Sequence, residues 1–230
     1  MNRKILIGAA VLAVAIGALW WQLGGHEEVQ TASAQEASAP DSASEGTGEA
    51  ADIDTSSITE MTMGPEDAKV TITEYASFTC PHCATFHQTT FQELKRDYIE
   101  TGKVHFIYRD VYFDRVGLWA SMLARCGGPV RFFGITDMLY KQQKEWLNSD
   151  DPVTISNNLR RIGKVAGLEE DQINACLEDA GKAETLLAWY EENKAADNIT
   201  STPTLIVNGE KQGNMAYSDL KALIEEKLAE

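Results

Sequence analysis

The sequence predicts an α/β fold in which a βαβ unit and a ββα unit share one sheet, with a block of helices inserted between them. Three observations lead there. A β-branched alternating run, a helical stretch and a second apolar run follow one another within about 40 residues. About 80 residues then pass with no strand signal, broken only by helix-terminating residues. The chain closes on a short apolar run, an Asn-Gly turn and a helix.

In chain order, residues 68–76 (AKVTITEYA) alternate and are β-branched, which is the pattern of a half-buried strand. From about 83 to 100, Phe86, Phe91, Leu94, Tyr98 and Ile99 fall on one helical face, and Gly102 ends the helix. Residues 103–109 (KVHFIYR) read as a second strand, in which His105 is structural. Strand, helix and strand imply a parallel pair with a right-handed crossover. From about 115 to 197 the pattern is helical. It breaks at Gly127-Gly128-Pro129, at Ser149-Asp150-Asp151-Pro152, near Gly167 and near Gly181. Asp151-Pro152 suits a helix start and Gly167 a stop. Residues 204–207 (TLIV) form a short strand, Asn208-Gly209 a hairpin turn and 211–213 the returning strand. Ser218 is expected to cap the last helix.

The chain has 230 residues, enough for a substantial core, with 43% hydrophobic and 24% charged residues. Its net charge of -15 excludes nucleic acid as a partner, because phosphate binding needs a basic face. The acids are uneven: residues 1–60 hold nine of the 35 acids and two of the 20 bases. The folded part is therefore only moderately acidic.

Arg3-Lys4 precede a mostly apolar run over residues 5–23, with Trp20-Trp21 near its end. The basic start stays inside, and the chain beyond the apolar run crosses the membrane. The run is long for a cleaved signal peptide, and the nearest small-x-small pattern, Ala32-Ser33-Ala34, lies well beyond it. Residues 1–23 are thus read as a signal-anchor, with a cleaved signal peptide ending at Ala34 as the alternative. Residues 24–57, rich in Ala, Ser and acids and free of Lys and Arg, cannot offset ordering entropy by burial and read as a disordered linker. The folded domain is expected to span 58–230.

The four cysteines are Cys80, Cys83, Cys126 and Cys176. The run Cys80-Pro81-His82-Cys83 could be half of a zinc site, a clip or a redox pair. Adding His87 gives three candidate zinc ligands, but no second C-x-x-C exists and no metal is expected. The context favours redox chemistry. The motif follows a strand and opens a helix, so Cys80 would sit where free N–H groups and the helix dipole stabilise a thiolate. Pro81 suits the first turn because it needs no donor. His82 can add positive charge or a hydrogen bond, and Cys83 would be the buried resolving thiol.

Strand, C-P-H-C, helix, a helical insertion, and Thr202-Pro203 before a strand together resemble the DsbA family of thioredoxin-fold oxidases. The run Glu74-Tyr75-Ala76-Ser77-Phe78-Thr79-Cys80 is similar to that family's sequences throughout, and the resemblance covers about residues 58–230. It implies a thioredoxin fold, with Cys80 as nucleophile and Cys83 as resolving cysteine. It implies that Glu74 is a buried acid beneath the site, able to relay the Cys83 proton. It also implies that Pro203 is a cis-proline whose neighbour Thr202 pairs with a substrate strand. Phe78, two residues from Cys80, is a further candidate substrate contact. Trp119, Met122, Phe132, Phe133, Trp146 and Trp189 read mainly as core. Cys126 and Cys176 are expected to form a structural disulfide closing a loop of about 50 residues, with two buried thiols as the alternative.

The expected function is a periplasmic thiol-disulfide oxidoreductase, monomeric and without a cofactor. It would oxidise unfolded or reduced exported proteins through Cys80–Cys83 and be re-oxidised by a DsbB-like quinone-linked membrane partner. A disulfide reductase or isomerase, and a chaperone-like binding module, are the alternatives.

Overall fold

The structure, a computed structural model, describes residues 53–230. The expected signal-anchor and most of the expected linker lie outside these residues. Among the described residues no helix is long and apolar enough to cross a membrane.

Strands β1 (Met61–Met63), β2 (Val70–Ala76), β3 (Val104–Asp110), β4 (Thr204–Val207) and β5 (Glu210–Gln212) form one sheet in the order β1-β3-β2-β4-β5. β2 and β3 are parallel, as the intervening helices require. β4 runs antiparallel to β2, and β5 antiparallel to β4. The Asn208-Gly209 turn between them has positive φ at both residues, 46° and 84°, which is why Asn and Gly occupy it. β1 has only three residues and too little alternation to be read from sequence; it pairs with the outer edge of β3.

The predicted helix over 83–100 is interrupted. α1 (Pro81–Gln88) breaks at Thr89, α2 (Thr90–Leu94) resumes, and a π-helical turn over Lys95–Ile99 completes the crossover before Gly102. The break changes the face presented after Thr89, so Phe91, Leu94, Tyr98 and Ile99 still reach the core.

The insertion comprises α3 (Arg115–Cys126), α4 (Gly128–Lys141), α5 (Gln143–Trp146), α6 (Pro152–Val165), α7 (Glu170–Glu178) and α8 (Ala180–Ala196). Asp151 caps α6 by accepting from the N–H groups of Val153 and Thr154, with Pro152 at the first position. Gly163 lets α6 approach closely, since a Cβ there would lie 2.9 Å from the side chains of Leu123 on α3 and Ile173 on α7. The Cys126–Cys176 disulfide links α3 to α7 with a Cα separation of 5.8 Å. Phe132 and Trp146 are fully buried and Met122 and Trp189 nearly so; Trp119 and Phe133 pack partly buried against them.

One expectation needs correction at the C-terminal end. α9 (Tyr217–Ala229) starts one residue earlier than Ser218, and its N-cap is Ala216, whose side chain cannot accept from the helix. The Thr55 hydroxyl donates to Glu192 on α8 at 2.9 Å, and Ile58 is buried against Leu118, Met122, Leu186 and Trp189.

Sheet and insertion are joined by a buried ion pair. Arg125 on α3 donates to Asp110 Oδ2 at the end of β3 at 2.7 and 3.0 Å, and the two side chains are 5% and 1% exposed. Arg125 also donates to the Thr59 carbonyl and lies over the rings of Phe132 and Trp189. Replacing one partner of a buried pair strands the other charge, at a cost of about 3–5 kcal/mol. Arg125→Met is therefore expected to lower unfolding stability by about that amount. Arg125→Met with Asp110→Leu should recover much of it in denaturant titration. A single variant as stable as the wild type would refute the role of the pair.

Candidate active site

Cys80 is the N-cap of α1, in extended conformation at the end of the loop that leaves β2. Pro81 occupies the first helical position, where its missing donor costs nothing. Cys80 is 7% exposed and Cys83 fully buried; both are free thiols. On the opposite side lies the Thr202-Pro203 peptide, which is cis. The Cys80 thiol donates to the Thr202 carbonyl at 3.6 Å.

These surroundings lower the Cys80 thiol from an ordinary 9.0 to about 5. The largest cause is the Cys83 thiol, which donates to the Cys80 sulfur; burial opposes it. Thr202 adds to the lowering, and so do the backbone N–H groups of Cys83 and His82. The buried Thr202 hydroxyl has no other hydrogen-bond partner among the described residues, which leaves it free to donate to the Cys80 sulfur. Cys83 moves the other way. Burial pushes its thiol far up, and its own donation to Cys80 and the nearby Glu74 carboxylate push it further. One sulfur is thus set up as the anion and the other as the proton donor. His82 contributes through its backbone N–H, and its side chain is exposed.

Glu74 sits on β2, the central strand, and is completely buried. Its Oε2 meets His87 Nε2 on α1 at 2.8 Å, while Oε1 has no hydrogen-bond partner among the described residues. His87 is itself buried and stacks on Tyr140, with ring centroids 4.3 Å apart. Tyr140 in turn shares a hydrogen bond with Tyr108 at 2.7 Å. His87 is therefore the partner of the buried acid rather than a zinc ligand. Its position four residues after Cys83 puts both on the inner face of α1, a periodicity the sequence does show. Among the described residues no cluster of His, Cys, Asp and Glu suits a metal.

Phe78 requires a correction. It is 1% exposed, with its ring packed between those of Tyr108 and Tyr140, so its side chain presents almost no surface for a substrate to touch. Its backbone matters instead. Gln143 on α5 donates to the carbonyls of both Phe78 and Cys80, at 2.8 and 2.9 Å. Thr79 donates its hydroxyl to Asp114 Oδ2 at 2.9 Å, and Asp114 caps α3. Nothing in the sequence marks Gln143, because its meaning depends on where a four-residue helix lands in three dimensions.

The chain matches the family described as Thioredoxin over residues 56–226. A protein of Rickettsia bellii, provisionally named a protein-disulfide oxidoreductase, is 35% identical over 176 residues, covering 74% of this chain and 65% of that one. A Rickettsia felis relative with the same name is 33% identical, covering 74% of this chain and 61% of that one. The chain thus spans under two thirds of these relatives. Disulfide bond formation protein D of Bacillus subtilis is 27% identical, with 72% of this chain and 76% of that protein covered. Among solved structures, alpha-DsbA1 of Wolbachia pipientis superposes with a TM-score of 0.68 at 25% identity, covering 74% of this chain and 92% of that one.

A thiolate that forms at about 5 has a definite consequence for stability. Between that pH and the ordinary 9.0, the folded reduced chain has lost a proton that the unfolded chain keeps. Stability of the reduced form therefore rises with pH through this window, and the gain is lost as pH falls through about 5. The oxidised form lacks the thiol and should lack the trend. Thiolate absorbance should titrate with a midpoint near 5, and Cys83→Ala should raise it by removing the largest cause. An unmoved midpoint in that variant would contradict the assignment.

Proposed function

The chain belongs to the thioredoxin family, with the helical insertion of DsbA-like proteins between the halves of its fold, and on that premise we propose that it is a thiol-disulfide oxidoreductase donating disulfide bonds to exported proteins. The observation carrying this reading is the opposite displacement of the two thiols, Cys80 down to about 5 and Cys83 far up.

A substrate thiolate attacks the Cys80 sulfur of the oxidised pair, the more accessible of the two. The Cys80–Cys83 bond breaks, and its electron pair leaves on Cys83, which takes up a proton. Glu74 is the buried acid suited to deliver it. A second substrate thiolate then attacks the substrate sulfur of the mixed disulfide. Cys80 leaves as a thiolate, the substrate disulfide is formed, and two electrons remain on the enzyme. A low thiol pKa makes Cys80 a good leaving group and stabilises the reduced enzyme, which favours donation of the disulfide outward. The Thr202 backbone beside the cis-Pro203 is suited to pair with an extended substrate segment across the sulfur.

Residues 5–23 would anchor the chain to the inner membrane and leave the domain in the periplasm, on a linker near a DsbB-like quinone-linked oxidase that restores the disulfide. The intact mass of the purified mature protein distinguishes retention of this segment from cleavage after Ala34. A full-length mass is expected.

Redox titration of Cys80–Cys83 against glutathione, read by alkylation, tests the direction of electron flow. The potential is expected to be well above the thioredoxin value of about -270 mV. A value near thioredoxin's would make the protein a reductase. Cys80→Ser should abolish oxidation of a reduced unfolded protein, and Cys83→Ser, given a substrate that already holds a disulfide, should trap the mixed disulfide formed when the Cys80 thiolate attacks it and a substrate thiolate leaves, read on non-reducing gels. Undiminished oxidation by Cys80→Ser would refute the mechanism.

A further inference from the structure

The loop 77–80 that carries the nucleophile is held by two side chains of the helical insertion. Gln143 is 6% exposed and directs its amide at the carbonyls of Phe78 and Cys80, so one NH2 group spends both hydrogens on the loop that carries the nucleophile. Asp114 holds the Thr79 hydroxyl between them. The Cys80 carbonyl also accepts from Ala84 N–H at 3.2 Å as the first bond of α1, so Gln143 grips the junction of loop and helix. α5, which carries Gln143, is itself fixed: the Trp146 indole donates to the Leu139 carbonyl at 2.8 Å, and Trp146 is fully buried.

Burying a primary amide is tolerated only if its donors are satisfied, and both are satisfied here by the loop that ends in the reactive sulfur. We propose that Gln143 is a positioning residue of the disulfide-exchange site, holding Cys80 at the distance from the α1 N–H groups and from Thr202 at which its thiolate is stabilised. The NH2 dipole also points its positive end toward the Cys80 backbone, which favours negative charge on that residue. This rests on the reading of Cys80 as the exchanging thiol, and it gives the insertion a task in the chemistry.

Gln143→Leu removes both donors at similar volume, and Gln143→Asn keeps the amide one methylene too short to reach both carbonyls. The Cys80 thiolate midpoint is expected to rise by about one pH unit in Gln143→Leu and by less in Gln143→Asn. The difference in stability between reduced and oxidised forms should shrink in the same order. A merely structural glutamine would lower both redox forms equally and leave the midpoint in place. Should Gln143→Leu fail to fold, Gln143→Asn alone decides. A wild-type midpoint in a folded variant overturns the proposal. The thiolate titration does not depend on the direction of electron flow, so a thioredoxin-like potential in the wild type would sink the oxidase reading and leave this one standing.

Discussion

A thiolate in a site almost closed to water must find its compensation in fixed donors, because solvent cannot supply it. Cys80 meets that constraint with groups on two sides: the Cys83 thiol and the first N–H groups of α1 from below, and Thr202 from across the cis-proline loop. None of them is a full positive charge, and the imidazole of the adjacent His82 is turned to solvent. A stabilisation assembled from dipoles is short-ranged. It therefore demands close placement of the sulfur, and much of the surrounding structure serves that placement.

The same demand explains the asymmetry between the cysteines. Cys83 lies one turn into α1, against the buried Glu74–His87 pair and the Tyr108–Tyr140 hydroxyls. In that low-dielectric pocket a second anion next to Glu74 is unfavourable, so the proton stays on Cys83 and points at Cys80. Each thiol's displacement is a cause of the other's. The pair therefore responds as a unit, and a change on the Glu74 side is felt at the Cys80 sulfur through Cys83.

The sequence is most legible where local chemistry decides. Asp151-Pro152, Gly102, Gly167 and Asn208-Gly209 each stand where capping and turn preferences put them. The helix-opening C-P-H-C signals a stabilised thiolate by spacing alone, because the N-cap position follows from the strand before it and the proline within it. Legibility fails where contacts join distant segments. His87 reads as a helix residue of ambiguous purpose until β2 brings Glu74 beneath it. Phe78 misleads because nearness to Cys80 along the chain is not nearness to substrate; the loop turns the ring inward onto Tyr108 and Tyr140. Gln143 is separated from Cys80 by 63 residues, and no local pattern spans that interval.

Sheet register brings these distant parts to one point. β2 is central, paired in parallel with β3 and antiparallel with β4, and Tyr75 lies opposite Thr204. That register puts the residues before β4, Thr202 and Pro203, opposite the loop that follows β2, where Cys80 begins α1. Side chains alternate along a strand, so a slip of one residue would turn Glu74 away from His87 and carry Thr202 past the sulfur. The register is fixed by burial on both faces, since Ile72, Glu74, Tyr75 and Ala76 are all inaccessible. The site's electrostatics are therefore set from outside the reacting pair, by the packing of a strand that ends at Ala76, before the loop to Cys80.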